Sequence, residues 1–245
     1  MCSSDLEDLK ISNNSSPDPR VMGYLAVRRA LGIVGLGLPI SLYVYAKLAD
    51  NMQPSVSAFY YTEMGDIMVG ALCAIGIFLI AYKGYPRKKG ERLSDRVVAT
   101  IAGAGAIGVA LFPTPYKGDT LCQTGACVNT GIPSHPDWWH YGSAGVFFVC
   151  RALFCFFLIP KGARNDDNSV AWTRANLIYF TCGSLIVFSI LALLLYWRVS
   201  EQTKDVLAGY YYVFWFEALA IAAFAASWLT KGKSLAGLKS LLGNR

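Results

Sequence analysis

The sequence predicts an all-α membrane protein: a bundle of six transmembrane helices with the N-terminus and C-terminus in the cytoplasm. Three observations carry that expectation. First, 54% of the 245 residues are hydrophobic and only 16% are charged, where a soluble domain carries about 25% charged residues. Second, the charges are segregated. Six stretches, 30–46, 67–82, 97–116, 138–160, 175–197 and 206–230, together hold 124 residues but only two of the 38 Asp, Glu, Lys and Arg side chains, Arg151 and Glu217. A surface helix of a soluble protein needs a polar face, so this pattern excludes a water-soluble enzyme, a nucleic-acid-binding domain and a disordered chain. Third, the Lys and Arg residues between the stretches are strongly asymmetric.

Taken in order, residues 1–27 are polar and cluster Asn13, Asn14, Ser15, Ser16, Pro17 and Pro19, the composition of a flexible tail. The start is acidic (Asp5, Glu7, Asp8), unlike a secretory signal. Arg20, Arg28 and Arg29, set between apolar residues, suit a segment lying on the membrane surface. Residues 28–232 form the expected transmembrane domain. A hydrocarbon core about 30 Å thick needs roughly 20 helical residues; each stretch reaches that length or can extend to it. Near-continuous apolarity at 185–195 argues against a β-barrel, whose strands would alternate. Pro39 is expected to kink the first span. The third span is mostly small (Ala99, Ala102, Gly103, Ala104, Gly105, Ala106, Gly108), which allows close helix approach and suggests a central position. Residues 233–245, with Leu235, Leu238, Leu241 and Leu242 beside Lys233 and Lys239, read as a short amphipathic cytoplasmic tail.

Orientation follows from the basic residues. Seventeen Lys and Arg fall in the N-terminal tail, the loops after the second and fourth spans, and the C-terminus; the opposite side has only Lys47, Lys117, Arg198 and Lys204. The net charge of +6 then reflects membrane topology and an anionic inner leaflet. The expected location is the cell inner membrane, with the lipid bilayer as a partner and room for other membrane subunits or a homo-oligomer, but no nucleic acid. Aromatic residues crowd the outer boundary, among them Tyr43, Trp138, Trp139, Trp197 and Trp215; they suit an interfacial belt or an aromatic ligand cup. Spans two, four and six each end in Lys-Gly (Lys83-Gly84, Lys161-Gly162, Lys231-Gly232), consistent with helix C-caps or with three duplicated hairpins.

Arg151 and Glu217 are the leading site candidates, because an intramembrane charge normally faces a partner or a wet cavity. Counted from their helix starts, they lie within about one turn in depth, so a charge pair fixing two helices, or a ligand or relay site, is expected. A second, outer-face polar cluster comprises Ser57, Tyr61, Glu63, Asp66 and His140. Asp66 at a helix start is favourable without any function. Only two histidines exist, His135 and His140, which rules out a three-His zinc site. No lysine lies within a span to carry a retinal Schiff base. Neither a metal nor a cofactor is expected. Cys122 and Cys127 in the outer loop are a disulfide candidate on an oxidising face, with free thiols and a metal set as the alternatives.

Four segments carry a resemblance: Ser57-Ala-Phe-Tyr-Tyr-Thr-Glu-Met-Gly-Asp66, Val69-Gly-Ala-Leu-Cys-Ala-Ile-Gly76, Ala106-Ile-Gly-Val-Ala-Leu-Phe-Pro-Thr114 and Phe214-Trp-Phe-Glu-Ala218. In these segments, covering spans two, three and six, the chain resembles a family of bacterial six-pass integral membrane proteins of unknown function. The resemblance implies six helices and a membrane location. Relatives carry His where this chain has Tyr61 and a basic residue where it has Gly65, which implies that any Ser-His-Asp arrangement is broken here. Three functional readings follow. The first is a lipid- or partner-binding membrane subunit without catalytic machinery. The second is a small transporter or channel using Glu217 and Arg151. The third is an outward-facing enzyme acting on lipid through Asp66 and His140.

Overall fold

The computed structural model describes residues 19–82, 84, 93–115, 136–158 and 173–232. These residues form helices joined by turns, with no strand among them. Helix α1 is Pro19–Leu48, followed by a 3-10 turn at Ser57–Tyr61; α2 is Gly65–Ala81 and α3 is Asp95–Leu111. Helix α4, Asp137–Leu153, runs on into a π-helical turn at Phe154–Leu158; α5 is Arg174–Tyr196, α6 is Glu201–Gly209 and α7 is Tyr212–Lys231.

Several boundaries differ from expectation. Helix α1 begins at Pro19 and continues through Pro39. Residues 20–27 are therefore helical and continuous with the first span rather than part of a tail. Proline suits a first helical turn because its missing N–H would have no partner there. The sixth stretch, 206–230, is not one helix. It breaks at Tyr211, which takes a left-handed conformation (φ 55°, ψ 40°). The residues before the break belong to the short polar helix α6, where Ser200 caps the Thr203 N–H at 3.4 Å and Lys204 pairs with Glu201 at 2.7 Å.

Among the described residues, four stretches are long and apolar enough to cross a membrane: Leu25–Leu48, Asp137–Leu158, Arg174–Tyr196 and Tyr212–Lys231. Helix α2 is a shorter apolar helix. Helix α3, 17 residues long with Asp95 and Arg96 in its first turn, falls in neither group. Length and apolarity thus mark a membrane protein with four evident spans and a fifth shorter one, not six outright.

The long helices pack in chain order, α1–α2–α3–α4–α5–α7, and α7 closes the ring against α1. Packing is dense within α2–α3–α4 and within α5–α7–α1, and looser at the α1–α2 and α4–α5 seams. Helix α3 is not central. It sits in the wall between α2 and α4, with Val97, Ile101 and Leu111 facing outward. Its small residues are nevertheless used for close approach: a Cβ on Gly103 would lie 2.6 Å from the Gly76 carbonyl oxygen of α2, and one on Gly105 would lie 3.0 Å from the Ser143 carbonyl oxygen of α4. At the end where α7 finishes, the Arg29 Nε–H donates to the Gly232 carbonyl at 3.3 Å and Arg28 donates to the Tyr82 hydroxyl at 3.3 Å. Cations at a helix C-terminus also suit its dipole.

Candidate functional site

Residues 51–64, between α1 and α2, form a plug in the opposite mouth of the ring. Val56, Ser57, Ala58, Phe59, Tyr61, Thr62 and Met64 are all buried. Phe59 packs its ring against Tyr45 of α1 and Phe214 of α7. The plug and α7 cap each other. Glu217 Oε2 accepts the Val56 N–H at 2.7 Å, and the Ser57 N–H bonds the same carboxylate. In return the Pro54 carbonyl accepts the Phe214 N–H at 3.0 Å, one of the donors that a helix start leaves without an intrahelical acceptor. A carboxylate on the first N–H groups of a helical turn also suits their dipole. Below the plug lies a cavity of about 30 Å³, lined by Ser57, Leu72, Val109, Phe147, Glu217 and Ile221, among others. That volume holds a water molecule or two. Among the described residues, Glu217 is the one carboxylate or basic side chain in its wall.

Arg151 occupies the next layer down. It is 1% exposed and its guanidinium lies between two rings, 3.4 Å from the Phe147 centroid and 3.6 Å from that of Phe224. Stacking of a desolvated cation contributes about 2 kcal/mol per ring. Burying the ion costs several kcal/mol more than an exposed one, so the rings offset only part of it. None of Nε, Nη1 and Nη2 has a hydrogen-bond partner among the described residues. Arg151 and Glu217 are therefore not a charge pair in this structure: the carboxylate is bound to the plug, and the guanidinium is stacked. Glu217 and Phe224 are seven residues apart on α7, about 10 Å along the axis, and the Phe147 ring stands between the cavity and Arg151. The expectation of one common depth failed because the helix starts differ from the expected ones: Arg151 lies 14 residues beyond Asp137, the start of α4, and Glu217 only five beyond Tyr212, the start of α7.

The outer-face cluster divides. Ser57, Tyr61 and His140 are buried, whereas Glu63 and Asp66 are exposed. The Tyr61 hydroxyl donates to the Thr114 carbonyl at 2.6 Å, and His140 Nδ1 lies 2.7 Å from the Phe112 carbonyl oxygen. These two clamp the chain leaving α3. They do not form a centre with Asp66. Gly65 lies against the Tyr60 carbonyl, where a side chain would displace the plug. Among the described residues no three His, Cys, Asp or Glu gather as a metal site. Cys122 and Cys127 fall outside the described residues, as do His135 and residues 233–245. Cys73, Cys150, Cys155 and Cys182 are free thiols.

Of the aromatic residues expected at the outer boundary, Phe59 and Tyr61 are buried in the plug and others are exposed. Trp138, Trp139, Trp197, Tyr210 and Trp215 are exposed around the plug end, and Tyr43–Trp215 and Tyr141–Trp197 pack at the ring edge. Tyr82, Phe154, Phe224 and Trp228 form an inner aromatic cluster. Sequence reasoning missed the plug, the Tyr211 break and the π turn after Arg151. A signal for the plug was available: Ser57–Tyr61 is too apolar for an exposed loop.

A protein-family model described as Protein of unknown function (DUF998) matches residues 38–230. No curated protein matches the chain, and no solved structure does.

Proposed function

Since the chain belongs to that family of unknown function, we propose from its own geometry that it is a non-catalytic membrane protein whose helix ring binds a lipid or holds a partner subunit. In this reading all six long helices span the cell inner membrane, both termini are cytoplasmic, and the plug faces outward. The 17-to-four division of Lys and Arg supports that orientation. One observation carries the functional reading: the buried groups best suited to chemistry are bound to backbone. Glu217 holds the plug, Tyr61 holds Thr114 and His140 holds Phe112. An acid or base needs its polar atoms turned toward a substrate. Here they lock the mouth of the ring.

Purification in mild detergent followed by native mass spectrometry tests this reading. The expected result is a defined lipid or a fixed protein partner retained by the intact chain. A bare monomer that hydrolyses lipid would refute it. The transporter reading has one observation in its favour, the cavity against Glu217. Reconstituted vesicles separate the two, since the plugged ring is expected to give no proton or solute flux above that of empty vesicles.

A further inference from the structure

We infer that Arg151 anchors a binding site for an oxyanion, carried by an acidic lipid, in the half of the ring interior away from the plug. This rests on the lipid-binding reading and names the chemistry of the ligand. The guanidinium is fully buried, yet its three nitrogens find no acceptor among the described residues. Phe147 and Phe224 cover its two faces. Only its edge is left, and that edge carries every N–H donor in the fork that fits a carboxylate or phosphate.

A second donor sits nearby. Trp228 Nε1 is buried and has no partner among the described residues, and its ring packs on Phe224, the same ring that stacks on Arg151. The neighbouring hydroxyl is already engaged, because Ser227 Oγ donates to the Phe224 carbonyl at 2.7 Å. This layer therefore has donors without acceptors, and an oxyanion supplies acceptors only. The π-helical turn at Phe154–Leu158 begins three residues after Arg151, and such turns occur often at functional sites. The turn is largely buried and packs closely on α5, where a Cβ on Gly183 would meet Phe156 and Cys155. The layer lies among helices apolar enough to cross a membrane, where the oxyanions at hand are those of lipid headgroups.

The test uses the full-length protein with three probes: phosphatidylglycerol, phosphatidylcholine and inorganic phosphate. Native mass spectrometry reads occupancy and thermal unfolding reads stabilisation. The expected result is a single tightly held phosphatidylglycerol that raises Tm, with little effect of phosphatidylcholine. Arg151→Gln should bind phosphatidylglycerol at least about tenfold more weakly, the loss of a charge-assisted, two-point contact, while its weak binding of phosphatidylcholine is unchanged. A Tm rise with inorganic phosphate alone, lost in R151Q, would support the oxyanion site and overturn the lipid as its source. Equal phosphatidylglycerol binding by wild type and R151Q would overturn the site and leave the lipid-binding reading standing. Retention of neither lipid nor partner by wild type would overturn that broader reading. Should R151Q not fold, the wild-type comparison still decides: equal Tm shifts from the two lipids would overturn the inference.

Discussion

Replacing Glu217 with Ala should release the plug. The carboxylate accepts two N–H groups, those of Val56 and Ser57, and both residues are buried. A buried donor left without an acceptor costs about 1–3 kcal/mol. The adjoining cavity of about 30 Å³, enlarged by the missing side chain, lets a water molecule replace part of the lost bonding. The net destabilisation should therefore be about 1–3 kcal/mol for the pair, not twice that. For a chain of this size, a loss of about 2 kcal/mol corresponds to a Tm fall of roughly 4–8 °C. Glu217→Gln keeps one acceptor oxygen but loses the charge assistance and replaces the second oxygen with a donor, so it should lie between wild type and Ala. The assay is thermal unfolding in detergent, combined with thiol labelling of a Ser57→Cys variant located by peptide mass. Ser57→Cys should label slowly when Glu217 is intact and faster when combined with Glu217→Ala. Unchanged Tm together with unchanged labelling would refute mutual capping of plug and α7. The Arg151→Met/Glu217→Ala cycle adds a second check: groups held by separate partners should be additive within about 0.5 kcal/mol. A larger coupling would mean that the two charges do pair.

Three further outcomes follow from packing. Gly103→Val puts a Cβ against the Gly76 carbonyl and should destabilise by about 1–3 kcal/mol, whereas Gly70→Ala, which meets open space, should be neutral or slightly stabilising; equal Tm values would refute the close α2–α3 approach. Phe224→Leu removes one ring from Arg151 and should cost about 2 kcal/mol more in the Arg151 background than in R151M, the contribution of a desolvated cation–ring contact; a double-mutant cycle on Tm measures it. Tyr211→Val should be less stable than Tyr211→Gly by about 1–2 kcal/mol, because a β-branched residue resists the left-handed conformation; the reverse order would show that the Tyr211 turn is not strained.

Composition and charge spacing in the sequence were enough to determine the class of the protein and the approximate positions of its apolar helices. Those are one-dimensional properties, since a bilayer selects for uncharged length and a helix satisfies its own backbone. The same count singled out Arg151 and Glu217, the two charges that need an explanation inside the membrane. It did not reveal their partners. A partner depends on axial depth and facing direction, and these follow from where α4 and α7 begin, at Asp137 and just after the left-handed Tyr211. The small residues of α3 announced close packing, but only the ring order showed that they serve a wall between α2 and α4. Likewise Ser57, Tyr61 and His140 were visible as polar groups near one boundary. The tertiary structure alone showed that they are turned to backbone and that the connection between α1 and α2 fills the mouth of the ring. Part of the loop's buried backbone bonds within the loop itself, as Phe59 N–H does to Val56 and Thr62 N–H to Phe59, but the Val56 N–H and the Pro54 carbonyl find their partners only on α7.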